Sequence, residues 1–167
     1  KEGNMETIDA VERLVKNGCS TNIHYVVSKD TINEAITRLE LDLFPEGINA
    51  VIFILYKPVG NGVIEKVLKN TDSRIEKFLS LATKVKHPYR VGFDTCFTPA
   101  LLRWGDTVSA VSIDACEAAT FSMYIDSQMN CYPCSFGIWE KSMAESMKSK
   151  TLREIWQGEK FVAFREQ

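Results

Sequence analysis

Ile48-Asn49-Ala50-Val51-Ile52-Phe53-Ile54-Leu55-Tyr56 is a nearly continuous apolar run. Turn formers bracket it, with Phe44-Pro45-Glu46-Gly47 before and Lys57-Pro58-Val59-Gly60-Asn61-Gly62 after. Such a run reads as a parallel strand covered on both faces. Working back, Thr21 to Val27 is rich in β-branched and aromatic residues and reads as a second buried strand. Between them a helix begins near Thr31 and carries Ala35, Ile36 and Leu39, with Ser28 or Asp30 as its cap. Strand, helix and strand make one βαβ unit, so the fold class is α/β.

Helices flank that unit. Ile8, Val11, Leu14 and Val15 space as one helical face, and Asn17-Gly18 stops the helix with Gly18 in the left-handed conformation. Ile75, Phe78, Leu79 and Ala82 mark a second helix from Ser73 to Val85, ended by His87-Pro88. Two parallel strands do not make a stable sheet alone. Further strands upstream of Lys1 are therefore expected, and the absence of Met at position 1 fits a piece of a longer protein.

From Tyr89 the texture changes. Arg90 to Asp94 is a short strand leading to Cys96, Ala100 to Trp104 forms one or two helical turns, and Val108 to Ile113 is strand-like. Ala119 to Ile125 and Met129 to Tyr132 read as a β-hairpin turning at Asp126-Ser127. Glu140 to Lys150 is a surface helix or loop. The end is helical, with Leu152, Ile155, Trp156 and Phe161 as a docking face. Two domains are expected, 1–88 and 89–167.

The bulk numbers exclude several classes. Net charge is −2 over 167 residues, with 25% charged and 45% apolar side chains. Neither a basic footprint for nucleic acid nor a run long enough to span a membrane is present. The first residues lack a signal-peptide profile, which makes a cytoplasmic setting the expectation. There, five cysteines read as reduced thiols or metal ligands rather than a disulfide framework.

Four of the five cysteines cluster: Cys96, Cys116, Cys131 and Cys134, spaced C-x19-C-x14-C-x2-C. In Asn130-Cys131-Tyr132-Pro133-Cys134 a tight turn aims two sulfurs at one spot, which preorganises half a metal site. The bland reading is four small buried hydrophobes, but each cysteine falls near a strand end or turn. Zinc ribbons usually show two close pairs, and here only one pair is close. Widely spread thiolates suit a four-iron cluster, with zinc the alternative. Cys19 lies far upstream beside a helix stop and reads as structural.

In order and spacing, the segments resemble the C-terminal part of radical S-adenosylmethionine enzymes that carry a twitch or SPASM extension. Asn22 to Asp30 looks like the fifth strand of that family's partial barrel and its loop, and Ile52 to Gly60 like the sixth. Val91-Gly92-Phe93-Asp94-Thr95-Cys96 looks like the lead-in to the first auxiliary-cluster cysteine. Asn130 to Cys134 resembles the extension's CxPC-like turn, and Thr151-Leu152-Arg153-Glu154-Ile155-Trp156 its closing helix.

The resemblance implies the C-terminal part of a partial (β/α)6 barrel, followed by a small α+β twitch/SPASM-like domain with a β-hairpin and helices. It implies an auxiliary [4Fe–4S] cluster on Cys96, Cys116, Cys131 and Cys134, in electron transfer or substrate binding for an oxidoreductase. Val26, Leu55 and Tyr56 become candidates for the adenine side of S-adenosylmethionine, against a plain reading as barrel core, and His24 for the lumen. The family's radical-initiating cluster sits on a CxxxCxxC loop, which this chain lacks. S-adenosylmethionine and that second [4Fe–4S] cluster are thus expected only in a longer protein, and the isolated chain is expected to be inactive. The implied partners are the missing N-terminal barrel portion, an electron donor, and a peptide or small-molecule substrate. Asp94 and Glu117 are candidate acids or bases, against turn-forming or solvent-facing carboxylates. Met123, Met129 and Trp139 read as core or cluster cover. The competing hypothesis is a zinc-stabilised binding module with no redox role.

Overall fold

A computed structural model describes residues 2–69, 71–104, 108 and 116–166, the side chains of 2–4 and 139 excepted. It divides into two compact units, Lys1–Asp114 and Ala115–Gln167.

The first unit opens with α1 (Glu2–Lys16), whose end follows from its sequence. Gly18 takes φ +74°, and the Gly18 and Cys19 amides return to the carbonyls of Val15 and Leu14. That paired return closes the last turn and needs a residue without a Cβ penalty in the left-handed region. Strands β1 (Asn22–Val27), β2 (Ala50–Leu55) and β3 (Arg90–Phe93) follow, linked by helices α2 (Ile32–Glu40) and α3 (Ser73–Lys84). The sheet order is β1-β2-β3, all parallel, with Ile23 opposite Val51 and Val51 opposite Val91. Thr31, rather than Ser28 or Asp30, is the N-cap position of α2, and its hydroxyl exchanges hydrogen bonds with Ser28.

The strand at Arg90–Phe93 is a third member of this sheet. It pairs with β2 from Ala50↔Arg90 to Phe53↔Phe93, so the chain holds two βαβ units where one was expected. Burying the second edge of β2 carries the first unit past residue 88, to Asp114. The Ile48–Tyr56 run thereby becomes the central strand.

Both crossover helices pack on one face of the sheet. Ile32, Ala35, Ile36 and Leu39 of α2 and Ile75, Phe78, Leu79 and Ala82 of α3 share a core with Val27, Val51 and Phe53. Phe53 is its hub, edge-on to Phe78 at 4.9 Å and to Tyr25 at 5.9 Å between ring centres. Edge-to-face pairs add to the burial of so much aromatic area. The opposite face carries His24 and Val26, both exposed, beside half-buried Ile52 and Ile54. Past β3 come a 3₁₀ turn at Thr95–Phe97 and α4 (Thr98–Trp104), which meets the expected helical turns. The strand expected at Val108 to Ile113 lies outside the described residues except for Val108.

The second unit has its own three-stranded antiparallel sheet, ordered β4 (Tyr124–Ile125), β5 (Asn130–Tyr132), β6 (Glu145–Ser146). The expected hairpin is β4–β5, with shorter arms. β6 falls where a surface helix or loop was read, and it pairs Glu145 with Cys131. Two short helices close the unit, α5 (Leu152–Trp156) and α6 (Glu159–Arg165). At the start of α5, Thr151 and Glu154 form a reciprocal capping box. The small core is Ala119, Cys131, Ile155 and Phe161, with Met123, Met147, Trp156 and Phe164 packed around it. Of the expected docking face, Leu152 points to solvent. Met129, read as core or cover, is 44% exposed with φ +68° at the hairpin turn. The Trp139 side chain lies outside the description.

Candidate metal centre

Asp126 shapes the hairpin that carries Cys131 and Cys134. Its carboxylate accepts the backbone amides of Gln128 (2.9 Å) and Asn130 (2.8 Å) and the Asn130 side-chain amide (2.9 Å). The Asn130 side chain, then its backbone amide, hold the Asp126 carboxyl below its ordinary value of 3.8. With the turn so pinned, Ile125 stands opposite Cys131 and Tyr124 opposite Tyr132.

Cys131 is fully buried in the core of the unit. Burial, aided by the charge of Asp126, pushes its thiol above the ordinary 9.0. Pro133, also buried, turns its carbonyl to the Ala119 amide at 3.0 Å. Cys134 follows in an extended conformation (φ −152°, ψ 153°), and its sulfur accepts the Phe136 backbone N–H at 3.3 Å.

Cys116 is exposed and leads directly into a tight turn. The Glu117 carbonyl accepts the amides of Thr120, Phe121 and Ser122, while the side chain of Glu117 faces solvent. Ala119, at φ +54°, links that turn to Pro133. Arg165 reaches across from α6 and donates to the Ala119 carbonyl at 2.8 Å and the Trp156 carbonyl at 2.9 Å. The turn after Cys116 and the Cys131–Cys134 loop are thus tied together by backbone hydrogen bonds and one arginine. Nothing in sequence spacing flagged Arg165, whose main-chain partners only the fold brings near, or the Phe136 amide, a backbone donor that every residue but proline carries.

Among the described residues, no group of three or more His, Cys, Asp or Glu side chains is gathered tightly enough to hold a metal ion. The donor set nevertheless suits a thiophilic centre: a Cys-x-x-Cys turn, one buried thiol, and one sulfur already receiving a backbone N–H. Cys96 belongs to the first unit, partly buried in the 3₁₀ turn after β3. Cys19 is exposed.

Residues 116–167 match the family model of SPASM, an iron–sulfur cluster-binding domain. The C-terminal unit is SPASM-like. The match takes in Cys116, Cys131 and Cys134 and begins after Cys96. No curated protein and no solved structure matches the chain. The match supports an iron–sulfur cofactor for this unit.

The remaining candidates lie in the first unit and do not converge. Val26, 46% exposed, shares the open sheet face with Ile54, its partner in register. Leu55 pairs with Val27 and packs on the helix-covered core, one residue out of step with Val26 and so on the other face. The Tyr56 hydroxyl accepts the Val63 amide at 2.7 Å and closes the loop after β2. His24 lies on the open face opposite Ile52. Asp94 accepts the Leu55 amide at 3.2 Å and forms an ion pair with Lys57, clamping the ends of β2 and β3. No described helix is long and apolar enough to cross a membrane.

Proposed function

We propose that this chain is the C-terminal portion of a radical S-adenosylmethionine enzyme. In it, Cys116, Cys131 and Cys134, with Cys96 as the fourth ligand, bind an auxiliary [4Fe–4S] cluster. The observation that carries the proposal is the SPASM match over the unit whose Cys131–Cys134 turn presents a buried thiol and an N–H-bonded sulfur. When bound, such a cluster supplies one-electron transfer or a site for substrate. The chain's own residues supply the cradle: Asp126 fixes the hairpin, Pro133 and Ala119 fix the loop, and Arg165 holds the turn after Cys116.

The sheet supports a partial barrel as the rest of the enzyme. Three parallel strands in sequential order, with both crossover helices on one face, follow the arrangement that (β/α) barrels repeat. A doubly wound sheet would place helices on both faces. The exposed face bearing His24 and Val26 then faces the barrel lumen, and the outer edge of β1 receives the preceding strands. Radical initiation, S-adenosylmethionine and its own [4Fe–4S] cluster belong to that missing portion, the absent CxxxCxxC motif included. An electron donor and a peptide or small-molecule substrate complete the partners, in the reducing cytoplasm.

Anaerobic reconstitution tests this reading. Cys131→Ala and Cys134→Ala each abolish iron retention, whereas Cys19→Ala does not. A colourless protein holding one zinc would support the binding-module alternative and contradict the cluster.

A further inference from the structure

The Cys134 sulfur is held in place by main chain on both sides. Before it, the buried Pro133 carbonyl receives the Ala119 amide. After it, the Gly137 amide returns to the Cys134 carbonyl at 2.9 Å and starts a 3₁₀ turn over Ser135–Trp139. Between these anchors the Phe136 amide meets the sulfur at 3.3 Å, while 42% of the Phe136 surface is open to solvent. The N–H comes from the main chain, so every residue but proline can supply it.

We propose that the Phe136 backbone amide is a positioning donor that raises the reduction potential of the cluster by hydrogen bonding to the Cys134 sulfur. The inference rests on Cys134 being a cluster ligand. Adding one electron to an iron–sulfur cluster increases negative charge on its sulfurs, and a donor N–H aimed at one of them stabilises that reduced form. Without the donor the oxidised form is relatively favoured and the potential falls.

The test uses the 167-residue chain, reconstituted anaerobically and titrated with dithionite as the one-electron source, with the reduced cluster followed by electron paramagnetic resonance. Phe136→Pro deletes the N–H and shifts the midpoint to more negative potential. Phe136→Ala keeps the N–H and leaves the midpoint at the wild-type value. Equal midpoints for Phe136→Pro and wild type overturn the inference, as does an equal shift in Phe136→Ala. If proline blocks iron uptake by straining Ser135, pulsed resonance on protein labelled with ¹⁵N-phenylalanine decides. A nitrogen coupling present in wild type disappears in Phe136→Ala, and an unchanged spectrum overturns the inference. Wild-type protein that takes up no iron overturns the cluster reading together with this inference. Iron uptake with no change in potential or coupling overturns this inference alone.

Discussion

Phe161→Ala is the sharpest perturbation of the SPASM unit. Phe161 is fully buried on α6, against Ile155, Ala119 and Cys131, with its ring centre 6.2 Å from that of Trp156. Truncating a buried Phe to Ala costs about 3–5 kcal/mol, from lost transfer energy and the cavity left behind. A unit of roughly fifty residues has a stability of about 3–8 kcal/mol. The substitution therefore removes most of what holds the turn after Cys116 and the β4–β5 hairpin in place. Hydrogen exchange read by mass spectrometry on metal-free protein is the assay. Exchange at Ala119, Asp126 and Asn130, whose amides are hydrogen-bonded, should accelerate at least about a hundredfold, since about 1.4 kcal/mol corresponds to a factor of ten. Val51 and Phe53, in the separate core around β2, serve as the internal control and should not change. Unchanged exchange at Ala119 and Asn130 would refute the claim that the Phe161 core organises the cysteine loops.

Three further outcomes follow from named contacts. Gly158→Ala should destabilise the SPASM unit by about 1–3 kcal/mol in a urea titration, because an added Cβ would lie 2.9 Å from the Glu154 carbonyl oxygen, a backbone atom that cannot rotate away. Asp126 titrates below its ordinary 3.8, so its contribution to the hairpin is full above that value and is lost as pH falls through the lower folded value. Protection of the Gln128 and Asn130 amides should therefore hold down to about pH 4 and drop as pH falls further, and Asp126→Asn should flatten that dependence. Asp94→Ala removes the acceptor of the Leu55 amide and the partner of the Lys57 ammonium, both largely shielded from water, and should cost about 3 kcal/mol by chemical denaturation, with Asp94→Asn costing less.

Much of the first unit is legible in local pattern. The apolar run at Ile48–Tyr56 and the helical spacing of Ile75, Phe78, Leu79 and Ala82 each report one buried surface, and Gly18 carries its own conformational signal. Arg90–Phe93 is legible as a strand but not as a neighbour of β2. Its four residues say nothing about pairing across a 34-residue gap from Leu55, and the change in texture at Tyr89 suggested a new domain. In the second unit the hairpin turn announces itself through Asp126, but β6 is two residues long and has no pattern of its own. The candidate site divides similarly. Cys131 and Cys134 are visible because proximity in sequence guarantees proximity in space. The Ala119 link, the Arg165 clamp and the Phe136 N–H are not, because they use backbone atoms common to every residue. Val26 and Leu55 fall on opposite faces of the sheet: successive positions along a strand alternate, and Leu55 is in register with Val27 rather than Val26, an offset that a resemblance read residue by residue does not track.

The most direct test of the central claim is iron and acid-labile sulfide per chain after anaerobic reconstitution, in wild type and in Cys96→Ala, Cys116→Ala, Cys131→Ala, Cys134→Ala and Cys19→Ala. The account predicts about four irons and four sulfides in wild type and Cys19→Ala, with cluster lost or depleted in the other four. Full iron content in Cys131→Ala or Cys134→Ala, or a single zinc and no sulfide in wild type, would contradict it.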